Sequence, residues 1–579
     1  MVDLRKSPYY LSDEDIMWVH CTIEKMTLDE KIGQLFVQMG ESGASEERIQ
    51  SLEENYHQGG LRYQGDTREH VADLIANYQK YAKLPLLVAS NCDNGGDGAY
   101  KGGTFVCSAA GAAASKSRDT AYQMGVVAAR EAGNVGCNWL FNPCVDILMN
   151  WRNTIVNTRC FGDTADGVIE NARAFIRGVH EGGLAVCCKH FPGDGEEELD
   201  QHLVLGTNNL SAEDWRASYG KVYEAMIEED IEGIMVGHFA QRALSREFAP
   251  GIRDEEIMPA TLSPELLQGL LRKELGFNGL VITDASHMAG IANMERREVA
   301  VPKAIASGCD MFLFSNRMDE DFMYMKRGYE NGMISERRLY DALMRILGLK
   351  AKLQLHRHHA ALKTAQPTLD AACLAQHSAL AQRAAQDSIT LVKDTAKLLP
   401  INPTKYPRAR LYYIQSTPQS RAEAPDAMRD TVAKALTDAG FSVTIAPSFF
   451  DLEARAGANQ ENIHNMTDCG SVEEFKSKYD VVFVVVNVHG YAQENNVRLR
   501  WSCNHSNELP WYATEVPTIG ISLNYTTHLI DLPQLRTFIN AYGSAPEYLS
   551  ALTDKICGKS PFEGTPSETV FCNRWETRL

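Results

Sequence analysis

LAVCCKHFPGDGEEELDQH, residues 184–202, begins as one kind of structure and ends as another. Its first residues are apolar up to a terminal Lys189-His190, the composition of a short strand buried on both faces. The Pro, Gly and acidic residues that follow sustain neither a strand nor an ordinary helix, so the segment reads as a strand running into a mobile loop. That loop closes on Asp200-Gln201-His202, a carboxylate two residues from an imidazole. A histidine with an ordinary pKa near ~6.5 gives and takes protons at neutral pH, and a neighbouring carboxylate fixes its tautomer. Standing alone, such a pair is ordinary surface decoration.

Seven further apolar runs share the character of 184–190. They are QLFVQM at 34–39, GLRY at 60–63, PLLVAS at 85–90, CNWLF at 137–141, GIMVGH at 233–238, GLVITD at 279–284 and DMFLFS at 310–315. Amphipathic helical stretches separate them. Eight such strands alternating with helices over roughly 300 residues predict a parallel (β/α)8 barrel of the TIM type, whose active site is built at the C-terminal ends of the strands. Two helix starts are legible: a capping box at Thr27 and Glu30, and Ser263-Pro264 ahead of Leu266, Leu267, Leu270 and Leu271, with Gly276 past the end.

The barrel is expected over 1–354 and a linker and junction over 355–395. Within the linker, His356, His358 and His359 read as solvated, since no acidic or cysteine ligands accompany them. Residues 396–579 are expected to form a smaller open α/β sheet (sandwich) domain, with strands near 411, 442, 479–490 and 516–524 and two C-terminal helices. At 579 residues two domains are the natural outcome.

The formal charge of −18 disfavours nucleic acid and anionic membrane surfaces as partners. The N-terminus scatters charges where a signal peptide needs an apolar core, which reads as cytoplasmic. The 14 cysteines show no CxxC pairing and read as reduced, buried small hydrophobes; neither a metal nor a cofactor is expected.

Placing the polar residues at the strand ends assembles a constellation. Lys189 and His190 close the fifth strand, His238 the sixth and Asp284 the seventh. A carboxylate at the end of an apolar strand is rigid and partly desolvated, which suits a nucleophile, although capping of the next helix would also explain Asp284. Asp284 together with the Asp200/His202 loop satisfies the logic of retaining glycoside cleavage, with histidine in a role that carboxylates usually fill.

On these residues the chain resembles the family 3 glycoside hydrolases, and its loop KHFPGDGEEELDQH is similar to that of their β-N-acetylglucosaminidase branch, which reads KHFPGHG and then Asp-Ser-His. NTIVNTRCFGDT, TLSPELLQGLLRKELGFNGLVITDASHM and SITLVKDTAKLLPI extend the resemblance in order along the chain. It implies Asp284 as nucleophile, His202 as acid/base and Asp200 as its partner. It implies sugar-hydroxyl ligands at Lys189, His190 and Arg159, with pairing to a barrel carboxylate the alternative for Lys189; His238, at the end of the sixth strand, is counted as substrate-binding with them. In SNCDNGGDG the matching acid is Asp93, with Asn91 or Asp97 as alternatives. Met288 and Phe191 read as packing, Met288 against the substrate. Arg500, with Arg498 and Trp501, either reaches a sugar or packs the domains together. Asp194 stands where relatives carry a second histidine; with Glu196, Glu197 and Glu198 it either crowds His202 with negative charge or lies solvated.

The implied activity is retaining exo-β-N-acetylhexosaminidase on a carbohydrate ending in β-linked N-acetylglucosamine, without a cofactor, by a monomer or homodimer. A β-glucosidase or β-xylosidase, a phosphorylase of the same fold, and a non-catalytic sugar-binding protein are the alternatives. The acidic loop argues against phosphate.

Overall fold

The structure is a computed structural model that describes residues 2–364, 369–415, 427–447, 470–488, 490, 496–499, 509–566, 575 and 577. All eight expected barrel strands form: β1 Phe36–Met39, β2 Gly60–Arg62, β3 Leu87–Ser90, β4 Trp139–Leu140, β5 Ala185–Phe191, β6 Gly233–Val236, β7 Leu280–Thr283 and β8 Phe312–Leu313. They lie in the order β8-β1-β2-β3-β4-β5-β6-β7 with every pairing parallel. A parallel bridge between Ile282 and Met311 joins the two ends, and Thr283 N–H donates to Met311 O at 3.1 Å. The sheet is thereby a nearly closed barrel. Its strands are buried along both faces because Val, Ile, Leu and Cys fill them, the composition that a sheet covered by its own helices requires.

The helices follow the signals that announce them. Thr27 and Glu30 make the reciprocal capping box before Leu28–Gly33, at 2.9 and 3.2 Å. Ser263 Oγ accepts Leu266 N–H at 3.2 Å ahead of the helix Glu265–Glu274, which buries Leu266, Leu267, Leu270 and Leu271. At the N-terminal end of β8, Asp310 accepts Arg272 at 2.8 Å and Val281 N–H at 2.9 Å and also meets Arg338 and Arg345. That buried cluster lies at the end of the barrel remote from the catalytic loops, where polar residues serve stability.

The chain divides into two compact units. One takes Met1–Val106 and Ala121–His377 and holds the barrel. The other takes residues from Ser378 onward together with an early excursion, Cys107–Thr120. Within that excursion the helix Ala109–Ala114 is buried, and a Cβ on Gly111 would stand 2.8 Å from Cβ of Tyr542. Lys116 of the same excursion donates its N–H to Asp387 O at 3.2 Å and pairs with Glu563 at 2.6 Å. Residues 355–395 carry the helices Leu355–Leu362 and Ala371–Ser388 and the strand β9, Thr390–Asp394. His356 is not a solvated residue there: it stacks on Trp18 and lies 3.2 Å from Asp15.

The second unit adds β10 Arg408–Gln415, β11 Ser442–Ile445, β12 Val481–Asn487, β13 Thr518–Ser522 and β14 Thr537–Asn540. The sheet order is β9-β14-β13-β12-β10-β11, parallel except for the antiparallel pair β9 and β14. Alternation splits the core between the two faces: Val482, Val484 and Val486 pack with Tyr512, Phe475 and Phe538 on one side, while Phe483 meets Phe441 on the other. Where two C-terminal helices were expected, the described residues hold one α-helix, Pro546–Ile556, preceded by β14. TFIN is too short to show a period, and its pairing with β13 and β9 decides its state. Among the described residues no helix is long and apolar enough to cross a membrane.

Candidate active site

The ends of β3, β5 and β7 bring together most of the residues singled out from the sequence. Lys189, almost fully buried, lies with Nζ 3.6 Å from Asp93 Oδ1 and 3.4 Å from Asn91 Oδ1. Asp93 also accepts Arg159 Nε at 3.2 Å and the Asn142 carboxamide. Burial pushes the Asp93 carboxyl up, but Lys189 and Arg159 outweigh it and hold the group well below the usual carboxylate range. Asp97, by contrast, receives Asn94 Nδ2 at 3.0 Å and is pushed up to about 6 by burial.

His190 is fixed from behind. Asp146 Oδ1 accepts its backbone N–H at 3.1 Å, and Asp146 Oδ2 accepts Nδ1–H at 2.7 Å, which leaves Nε2 3.9 Å from Asp284 Oδ2. Burial pushes Asp146 up, but His190 and the Asp194 N–H outweigh it and keep the carboxyl low. Cys144 Sγ donates to the same carboxylate at 3.0 Å. Cys144, Asp146 and His190 bring their donor atoms within 4.8 Å and could hold a metal ion; here those atoms hydrogen-bond to one another. Asp146 escaped the sequence reading, and the signal for it is a lone carboxylate inside the apolar run CVDIL directly after β4.

Asp284 follows β7, its N–H held by Val236 O at 2.9 Å and its Oδ1 accepting Ala285 N–H at 2.7 Å. Its side chain is 14% exposed. Burial pushes its carboxyl up, yet His190, His238, the Ala285 N–H and His202 outweigh burial, so the group sits below its ordinary range. His238 is fully buried, with Nδ1 against Thr261 Oγ1 at 2.8 Å and Nε2–H donating to Ala285 O at 3.0 Å. Met288 is likewise buried.

His202 is 22% exposed along its side chain. Buried Asp200 accepts both its backbone N–H at 2.8 Å and its Nδ1–H at 2.6 Å, which orients the ring through Nδ1. The residue between them, Gln201, bridges the site: its Oε1 accepts His238 N–H at 2.7 Å and its Nε2 donates to Asp284 Oδ2 at 3.3 Å. Sequence reading passed over Gln201, whose role depends on where its neighbours fold. The loop is docked rather than loose, since Ala289 and Gly290 donate N–H to His202 O and Gln201 O at 3.1 and 3.0 Å.

Asp194 departs from the solvated reading of the acidic run. It is buried, accepting Asn153 Nδ2 at 2.7 Å, and burial with the charge of Asp146 pushes it well up. Gly195, at φ +104°, turns the chain inward where a Cβ would stand 1.9 Å from Ile147 O. Glu196 accepts Asn209 N–H at 3.0 Å, Glu197 accepts the N–H groups of Glu198 and Leu199, and Glu198 lies 3.9 Å from Arg152 Nε. Arg500 and Trp501 lie outside the described residues, and Arg498 pairs with Asp531.

Comparison with known proteins places these features in a family. Residues 27–349 match the glycosyl hydrolase family 3 N-terminal domain. The chain is 38% identical, over its whole length and all of the relative's, to a β-N-acetylglucosaminidase/β-glucosidase of Cellulomonas fimi. It is 29% identical over 43% of its length to a β-hexosaminidase of Idiomarina loihiensis, covering 72% of that protein. Among solved structures, the β-glucoside phosphorylase BglX superposes with a TM-score of 0.88 at 33% identity, covering 99% of both chains. A β-N-acetylglucosaminidase from Paenibacillus shares the fold at a TM-score of 0.75 and 24% identity, over 95% of this chain and all of that one. The chain belongs to glycosyl hydrolase family 3 and is a glycoside hydrolase by that membership.

Proposed function

We propose that the protein is a retaining, exo-acting β-N-acetylglucosaminidase in which Asp284 is the nucleophile and His202 the acid/base. The observation that carries this reading is the pairing of an ionised carboxylate with an imidazole oriented through Nδ1 by buried Asp200, the two sites tied together by Gln201. In the first step His202 Nε2–H protonates the glycosidic oxygen while an Asp284 oxygen attacks the anomeric carbon. The C–O bond to the aglycone breaks as the covalent glycosyl-enzyme forms. In the second step neutral His202 takes a proton from water, whose oxygen displaces Asp284 with restored configuration. Asp93, Arg159, Lys189 and His190 offer acceptors and donors to the hydroxyls of the terminal sugar. Buried His238, whose Nε2–H donates to Ala285 O, and buried Met288 are the remaining residues assigned to the pocket.

The name of the full-length Cellulomonas relative couples N-acetylglucosaminide and glucoside cleavage. Comparing kcat/KM on aryl β-N-acetylglucosaminide and aryl β-glucoside tests the preference proposed here, and a clear lead for the glucoside would overturn it. Phosphate as the second-step acceptor is a further reading, favoured by the full-length likeness to a β-glucoside phosphorylase. A histidine base carries no negative charge when it acts and so repels phosphate less than a carboxylate would. Product analysis with and without phosphate separates the two: free sugar alone marks hydrolysis, and sugar 1-phosphate marks phosphorolysis.

A further inference from the structure

A second proton relay lies in residues that the glycosidic site does not use. Glu131, on the helix Thr120–Asn134, is fully buried. Its Oε2 accepts Thr104 N–H at 2.9 Å, and its Oε1 accepts Nδ1–H of buried His377 at 2.8 Å. With Nδ1 committed as donor, the imidazole lone pair is on Nε2. That nitrogen lies 3.5 Å from Sγ of Cys373. Cys373 and His377 share one face of the helix Ala371–Ser388 at i and i+4.

Cys373 occupies the first turn of that helix, where Asp370 Oδ1 accepts its N–H at 2.8 Å. It is half-buried, whereas Cys92, Cys107, Cys137, Cys144, Cys160, Cys187, Cys188 and Cys309 are buried. Tyr100 is a further titratable neighbour. Burial and then the Glu131 charge push its phenol up, so it stays a neutral hydroxyl in the field of Cys373, with Arg68 acting on it in the opposite sense. Thiol, imidazole and buried carboxylate in this sequence of contacts are the parts of an activated nucleophile.

We propose that Cys373 is a modification site, a nucleophilic thiol served by His377 as base and by Glu131 as the positioning residue, which takes low-molecular-weight disulfides. As Sγ attacks one sulfur of the disulfide, its proton passes to His377 Nε2. A new S–S bond forms, the old one breaks, and the departing thiolate collects the proton from His377. The products are the mixed disulfide on Cys373 and one free thiol, with no change in the electron count of the three sulfurs.

Limiting iodoacetamide on the native full-length enzyme at pH 7, read peptide by peptide by mass spectrometry, tests the site, with exposed Cys21 as the internal reference. Cys373 is expected to alkylate about tenfold faster than Cys21 or more, and His377→Asn or Glu131→Gln to bring the two within a few fold. Glutathione disulfide is expected to add its half to Cys373 first, reversibly by dithiothreitol. Equal rates at Cys373 and Cys21 in the unmodified sequence would overturn the proposal without recourse to any variant. A lead that survives in folded, turnover-competent His377→Asn would overturn the relay.

Discussion

A carboxylate proposed as nucleophile must be ionised when substrate arrives, and Asp284 is kept so by the imidazoles and the backbone N–H around it. Held below the ordinary carboxylate range, it is charged at neutral pH. The variant His202→Ala, assayed on an activated aryl glycoside, loses one of these imidazoles, so the acid limb of its kcat/KM should move to higher pH than in the parent; an unmoved limb would mean that His202 does not help to hold Asp284 ionised. Asp284→Ala should lower turnover by about 10⁴-fold or more. His202→Ala should cost ~10²–10⁴-fold on substrates with poor leaving groups and much less on activated ones, because the acid matters only where the leaving oxygen needs a proton. Equal losses on both would count against His202. Asp284, Lys189 and His190 were legible because each ends a recognisable apolar strand. Gln201 and Asp146 were not, because their meaning depends on partners 83 and 44 residues away.

The decisive element is the docking of the loop after β5 onto the short helix Ala289–Ala292 after β7. Gly290 permits the approach: a Cβ there would stand 2.8 Å from His238 Cβ and 2.9 Å from Gln201 O. Gly290→Ala should displace the Gln201-His202 segment by a fraction of an ångström or more. Misplacement on that scale can cost on the order of 10²-fold in rate. The expected signature is a fall in kcat on poor leaving groups with near-normal turnover of an activated aryl glycoside, and uniform loss would mean that the nucleophile had moved as well. At this scale the eight barrel strands were readable from apolar runs even where, as in β4 and β8, only two residues keep strand pairing. The inward path of 193–195 was not, because acidic composition says solvent while two glycines at positive φ and the Asn153 carboxamide take Asp194 into the interior.

For the molecule as a whole, the barrel's N-terminal end carries a cost. Glu53 accepts Gln58 Nε2 at 2.7 Å, and burial pushes its carboxyl up to about 8. Lys350, 2.6 Å from Gln34 Oε1, is pushed down to about 7 by burial and offers little countercharge above that pH. In the unfolded chain Glu53 ionises near 4.5, so between pH 4.5 and 8 the folded state holds the extra proton. Its contribution to stability is complete below 4.5 and is lost as pH rises through 8. Glu53→Gln should gain stability relative to the parent as pH rises from 5 to 8, by about 1–3 kcal/mol, read from urea midpoints at the two pH values. A gain of the same size at pH 5 would point to packing rather than titration.

The excursion Cys107–Thr120 also has a consequence for synthesis. The helix Ala109–Ala114 leaves the ribosome ~430 residues ahead of Tyr542, against which Gly111 packs, an interval on the order of 20–90 s at ordinary elongation rates. For that time a small apolar helix, buried in the finished protein, lacks its contact with Tyr542. The barrel can therefore reach its final strand order before the second unit exists, but the nascent chain carries an undocked segment in its middle. Chaperone demand should peak while residues 378–542 are being made and end with the docking of a helix translated long before.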